Sequence, residues 1–447
     1  MSAVAYATRS KTAMAKANSS KTKNKTPTMF GEKNKRESEL YDVTSCMGEY
    51  ITTAYGLLRL VFNYLPMKDL RTAAHVCRAW KEAAEHEKLK RENIDWSFWR
   101  KTTSSTLLNL VNVAFRRETF CASQVCLSFM CGRGVEPHIE CGKGIASCPY
   151  STKRVACGNT HCVCQYVQKM VHPESCSILL EADGIVGTST NMDRTEEVEG
   201  LQGCVSTLLL PKMTDVNITT FYVDETELDK FKRREFGNKE MCSLLGMNTE
   251  VTPLRCVLLF CSSEYHGDVT EFLECLVQVQ PEQFVIGGGF FNQFHFVTND
   301  EKKCSKAGAI VGIAFSGNNV HCTSTLLDTD IRCKAEVASL MDEFHGCNLP
   351  ERNSVAFMFA CCGRGKFHYR CKNMESSVFR TYFPNTPLLG AFVQGEIGRK
   401  FFYGKTQESG IEAPKRKRIS VVDDLLHSYT SVFVHLSFGP NSVQKKK

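Results

Sequence analysis

Apolar residues at Ile51, Tyr55, Leu58, Phe62 and Leu65 recur every three or four positions, which lays them along one stripe of a helix. Pro66 ends that stripe. Asp69 is placed to cap a second helix with apolar positions Leu70, Ala73, Ala74, Cys77 and Trp80. The charged run 81–93 predicts a third helix ahead of Trp96 and Trp99. Three short helices in about fifty residues bury too little surface to stand alone, so the unit is expected to need a partner.

Beyond residue 121 the period changes. Short apolar, β-branched runs punctuated by glycine predict strands at 125–130, 177–184, 205–210, 255–261, 284–289, 309–316, 320–327, 354–361, 388–394 and 431–436. Helical patterns fill 225–245, 268–280, 334–346 and 374–383. The segment 309–327, with its Gly317-Asn318-Asn319 turn, reads as an antiparallel hairpin. The expected class is α+β: a small N-terminal three-helix unit, then a mixed α/β region with largely antiparallel sheets. Phe129-Met130-Cys131-Gly132-Arg133-Gly134 echoes Phe359-Ala360-Cys361-Cys362-Gly363-Arg364-Gly365, each a strand running into a Gly-Arg-Gly turn, which suggests two related halves.

Composition narrows the class. With 447 residues, 43% hydrophobic and 23% charged, the chain has material for more than one core and is neither fibrous nor wholly disordered. No apolar run reaches the ~18 residues that cross a bilayer, and the first thirty residues lack an apolar secretory segment, so a soluble intracellular protein with no membrane partner is expected. The net charge of +7 is concentrated at the ends: residues 1–40 are rich in Lys and Arg and read as a disordered basic tail, and Lys445, Lys446 and Lys447 close the chain. A near-neutral body argues against nucleic acid as the ligand. The basic cluster Lys415, Arg416, Lys417 and Arg418 fits a nuclear import signal, giving an expected location in cytoplasm and nucleus. The 23 cysteines are expected as reduced thiols. Cys126 with Cys131 and Cys157 with Cys162 have zinc-ligand spacing, but without a Cys-x2-Cys knuckle no metal or other cofactor is expected.

Tyr64-Leu65-Pro66-Met67-Lys68-Asp69-Leu70, followed by His75-Val76-Cys77-Arg78-Ala79-Trp80, resembles the F-box, with Trp96 and Trp99 in the place of its closing aromatic residues. The resemblance covers 45–100 and implies docking on a Skp-type adaptor that links to cullin and RING subunits. Helix-in-groove recognition would use Leu58, Leu65, Pro66, Leu70, Val76, Cys77 and Trp80 as apolar anchors. A private three-helix core is the alternative use of those residues.

Further along, Val355 to Gly365, Phe383-Pro384, Pro387-Leu388-Leu389-Gly390, Gly395-Glu396-Ile397-Gly398 and Leu426-His427-Ser428-Tyr429-Thr430 resemble the C-terminal FIST domain over 251–440, with a fainter N-terminal-like region over 120–250. The two resemblances together imply a substrate-recognition subunit of a Skp-cullin-F-box ubiquitin ligase. Such a subunit recruits target proteins for ubiquitination and degradation and needs no catalytic residue of its own. A small-ligand-sensing FIST module is the other reading. For it, Gly363 and Gly365 would open a turn, Arg364 would clamp an anion, and Glu396 would sit in a second glycine-flanked turn or pair with Arg364. Cys361 and Cys362 beside Arg364 complete that candidate set, as thiols whose pKa the guanidinium could lower.

Overall fold

The computed structural model describes residues 55–100, 121–131, 167, 171, 175–200, 203–247, 253–279, 284–297, 308–402 and 424–440, and the backbone alone at 138–140, 160–162 and 304–305. These fall into two compact units, one running to Arg91 and one starting at Glu92.

The first unit holds helices α1 (Tyr55–Phe62), α2 (Met67–Ala73) and α3 (Arg78–Leu89). α1 stops at Phe62, short of Pro66, and Pro66 instead starts the next helix. With φ −57 and ψ 156 it is the N-cap of α2, and Asp69 lies in the first turn with no side-chain cap bond. The single helix expected from Leu70 to Trp80 is two, because Cys77 is extended (φ −160, ψ 175) and opens α3, the helix that carries Trp80. Phe62 meets the Trp80 ring edge-on at 5.2 Å. Arg91 donates to the carbonyls of Phe62 (2.7 Å) and Leu65 (2.7 Å) and pairs with Glu87 (3.2 Å), so a cation sits on the C-terminal end of α1.

In chain order, the second unit begins with β1 (Asp95–Arg100), β2 (Ser123–Cys131), a separate two-stranded ribbon of β3 (His138–Glu140) and β4 (Thr160–Cys162), β5 (Cys176–Glu181), the hairpin β6 (Gly184–Thr188) and β7 (Thr195–Glu199), and β8 (Cys204–Pro211). Next come β9 (Asn217–Val223), α4 (Glu225–Lys232), α5 (Asn238–Leu244), β10 (Leu254–Ser262), α6 (Thr270–Val279), β11 (Val285–Phe291), the hairpin β12 (Gln293–Val297) and β13 (Cys304–Ser305), and β14 (Ile310–Ser316). The last stretch is β15 (Val320–Leu327), α7 (Lys334–His345), β16 (Ser354–Cys361), α8 (Lys366–Tyr369), α9 (Met374–Tyr382), β17 (Leu388–Val393), the hairpin β18 (Glu396–Gly398) and β19 (Leu426–His427), and β20 (Ser431–Phe438).

This is one plan used three times. β2 runs parallel to β5, β10 to β11 and β16 to β17, while β8, β14 and β20 return antiparallel to β2, β10 and β16. The edge strands β1, β9 and β15 then pair with those returning strands. Each hairpin leaves its own repeat: β6 pairs with β17, β12 with β5 and β18 with β11. Every six-stranded sheet is therefore completed by strands of another repeat, in a closed cycle. Gly288 and Gly390 occupy the same place in the second and third repeats, at φ +151 and +149. A side-chain carbon there would meet the carbonyl oxygens of Leu259 and Met358 at 1.8 and 1.9 Å, so only glycine fits.

Two expectations are corrected. The sequence echo marks the first and third of three repeats rather than two halves, because β10, in the middle copy, ends in Phe260-Cys261-Ser262 without a Gly-Arg-Gly turn. Residues 309–327 are not a hairpin: β14 pairs with β10 and β9, whereas β15 pairs with β20 in another sheet. Asn319 instead ties the intervening turn to Thr214 and Asp215.

The inner faces of the sheets share a core in which Phe129, Phe260 and Phe359, at equivalent positions of β2, β10 and β16, form a triangle with ring centroids 6.1–6.2 Å apart. Helices cover outer faces: α4 and α6 bury Leu228, Phe231 and Phe272 over the second repeat's sheet, and α7 and α9 bury Val337, Phe344 and Phe379 over the third's. With both faces covered, these strands read as unbroken apolar runs. A fragment of residues 308–440 alone would leave β17 without β6 and should show no cooperative unfolding by circular dichroism. Adding residues 175–200 in trans should restore part of it.

Candidate functional site

Helix α1 is apolar on two sides. Leu58 and Phe62 are buried, whereas Leu57, Leu60, Val61 and Tyr64 are 42%, 64%, 49% and 78% exposed. Leu57, Leu60 and Val61, at i, i+3 and i+4, make a second, outward stripe, and Tyr64 extends it from the turn just past the helix. Of the anchors expected from sequence, Leu58, Pro66 and Leu70 are buried, so they hold the helices together rather than present a surface. Leu65, Val76 and Trp80 are half-buried and Cys77 is exposed; Ile51, the first residue of the expected helical stripe and not one of the anchors, lies outside the described residues. Trp96 and Trp99 do not close the helical unit: they lie in β1 of the second unit, paired with Leu208 and Val205 of β8.

In the second unit the strand ends of the three repeats converge. Asp183, Asn292 and Gln394 follow β5, β11 and β17 at equivalent positions and hydrogen-bond to one another. Asn292 donates to Asp183 (3.0 Å), and Gln394 to Asn292 (2.7 Å) and Asp183 (3.4 Å). Two residues on, the repeats diverge. By register Glu396 is equivalent to Ile185 and Phe294, both core residues, yet it is a buried carboxylate that accepts from the Thr430 backbone N–H (3.0 Å) and hydroxyl (2.7 Å). Burial pushes its carboxyl up to about 7, against hydrogen bonds from Thr430 and the Cys361 thiol.

Cys361 and the Arg364 charge both act on Glu396, but Arg364 makes no ion pair with it. Glu396 is in strand β18 rather than a turn, and Arg364 pairs with Glu375 (2.8 Å), not with Glu396. The guanidinium is fully buried and spent: it donates also to the carbonyls of Asp328 (3.1 Å) and Tyr429 (2.9 Å) and to the Tyr369 hydroxyl, which itself donates to Glu375 (2.8 Å). It cannot clamp a ligand. Nor is the neighbouring Cys362 thiol lowered: burial, with Cys361, Asp183 and Glu396 nearby, pushes it up to about 11. Gly363 is exposed, and Gly365, at φ +74, sits against Glu199, which accepts the Lys366 N–H (2.7 Å).

Glu197, which the sequence did not single out, accepts the Ser376 N–H (2.7 Å), and burial together with Glu375 pushes its carboxyl up to about 7. Nothing local distinguishes it from a solvated strand glutamate. Among the described residues no group of three His, Cys, Asp or Glu is placed to hold a metal ion. Cys157, along with Lys415 to Arg418, lies outside the described residues.

A small three-helix unit with an outward apolar stripe, ahead of a larger sheet-built unit, defines the class. Residues 56–93 match the F-box-like family model. The chain is similar to F-box only protein 22 of Homo sapiens and of Pongo abelii, each 27% identical over 397 residues that cover 85% of this chain and 91% of the relative. An F-box/LRR-repeat protein of Arabidopsis thaliana is 35% identical over 92 residues, 20% of this chain and 16% of that protein.

Replacing Arg364 by Met would leave Glu375 charged and unpaired in the interior and should lower stability by about 3–5 kcal/mol in urea unfolding. A carboxyl raised in the folded state favours folding while protonated, so the stability it contributes is lost as pH rises from 4.5 through about 7. For Glu197 that swing is about 3 kcal/mol. Glu197→Gln should flatten the fall in melting temperature across this range.

Proposed function

We propose that the outward stripe of α1 docks this chain on a Skp-type adaptor, making it the substrate-recognition subunit of a Skp-cullin-F-box ubiquitin ligase. One observation carries the reading: the F-box-like match falls on a unit whose first helix, with the turn after it, leaves Leu57, Leu60, Val61 and Tyr64 exposed. A helix that buries one apolar face internally and keeps another in water fits insertion of the outer face into a partner's groove. The similarity to F-box only protein 22, which extends far beyond the F-box-like segment, supports a second unit with a role of its own.

In this reading the second unit, whose sequence resembles the FIST domain, holds target proteins. The adaptor, cullin and RING subunits bring the ubiquitin-charged enzyme. The chain contributes proximity, raising the effective concentration of a target lysine at that enzyme, and supplies no reacting group. The basic run 415–418 supports import, so that the protein works in nucleus as well as cytoplasm.

Leu60→Ala and Tyr64→Ala should each weaken adaptor binding by about 2 kcal/mol, roughly thirtyfold, in calorimetry. Both residues are exposed, so thermal stability should hold. Wild-type affinity in both variants would overturn the docking assignment.

A further inference from the structure

Cys131, the last residue of β2, lies directly opposite Cys204, the first residue of β8. Both side chains are fully buried, and their Sγ atoms are 2.9 Å apart. Opposed residues of antiparallel strands have Cα atoms about 4.5–5.5 Å apart, inside the range that a disulfide spans. To reach a bond length of ~2.05 Å the two sulfur atoms need to close by only about 0.9 Å. Every cysteine whose side chain is described is a thiol, so the pair is held in contact without being bonded. The arrangement is particular to the first repeat. At the equivalent positions, where the strand-end N–H donates to the facing carbonyl, the second repeat has Ser262 with Ala309 and the third has Cys361 with Thr430.

A bond here would do more than join two neighbours. The loop it closes contains β5 and the hairpin of β6 and β7, and β6 is the strand that the first repeat lends to β17. A cross-link constrains the unfolded chain most when its loop is long, and this loop holds about seventy residues. Because every six-stranded sheet is completed from another repeat, fastening the first repeat protects all three. The reduced pair is also guarded. Burial pushes the Cys204 thiol up, so little thiolate forms, and attack on an oxidant waits for the ends of β2 and β8 to open. Such a pair resists brief oxidation and responds to sustained oxidation.

We propose that Cys131 and Cys204 form a reversible disulfide when the protein meets a hydroperoxide, a latch that fastens β2 to β8 and stabilises the second unit under oxidising conditions. One thiolate attacks a peroxide oxygen, the O–O bond breaks, and a sulfenic acid forms. The other cysteine then attacks that sulfur, and the S–S bond replaces the S–O bond. The two thiol protons end on the departing oxygens, so hydrogen peroxide is reduced to two waters as two thiols are oxidised to one disulfide.

The test uses full-length reduced protein whose exposed thiols are first blocked by brief alkylation of the native state. It is then treated with hydrogen peroxide, quenched, digested and read by mass spectrometry. A peptide pair joined through Cys131 and Cys204 should accumulate slowly and vanish with dithiothreitol. The melting temperature should rise by about 5–10 °C with the bond and fall back when it is reduced. Cys131→Ala and Cys204→Ala should each show no rise on peroxide treatment; should either fail to fold, the linked peptide and the reversible rise in the wild type decide the matter alone. Absence of the linked pair, a linked pair without a rise in melting temperature, or an equal rise in the alanine variants would each overturn the latch. None of these outcomes bears on adaptor docking, which involves the other unit.

Discussion

The cyclic exchange of hairpins is the constraint on which the second unit depends. Each central pair of parallel strands gains its outer neighbour from another repeat, β17 from β6, β5 from β12 and β11 from β18. No sheet closes until all three repeats are present, and the strands that are shared also carry the core. The triangle of Phe129, Phe260 and Phe359 and the polar ring of Asp183, Asn292 and Gln394 follow directly, because equivalent positions of three repeats must meet where the repeats converge.

Departures from that repetition mark the third repeat. Where the other copies place Ile185 and Phe294, it buries Glu396, and after β16 it buries Arg364 on Glu375. Buried charges are poor stabilisers compared with apolar packing, so their value here is geometric. Arg364 binds the backbone of Asp328 and Tyr429 at once, which fixes the turn between β16 and α8 to the start of β20. Glu396 does the same for Thr430 one residue later.

The first unit solves a different problem. Three short helices give a small core, and Arg91 strengthens it by closing the end of α1 on the carbonyls of Phe62 and Leu65. The remaining apolar surface, on the outer side of α1, is what a partner would cover. A cover on that face would add stability to so small a unit.

Half of the strands and most of the helices were legible in the chain: 320–327 and 354–361 match their observed bounds, and the helix beginning at Lys334 ends one residue early. Local pattern sufficed because covered sheets demand unbroken apolar runs and surface helices a 3.6-residue period. The strands it missed, β1, β3, β4, β6, β7, β9, β12, β13, β18 and β19, are mostly short, polar-rich or edge segments whose pairing is set by distant partners. The Gly-Arg-Gly turn was visible as a motif that recurs in the chain, but not the direction of its arginine. The spacing of apolar residues marks covered strands and surface helices, and so by itself determined those elements and the change from an N-terminal helical segment to a sheet-built region. Which neighbour each strand joined, which stripe of α1 faced out and which carboxylate met Arg364 were decided only in three dimensions, because those choices depend on contacts between residues far apart in the chain.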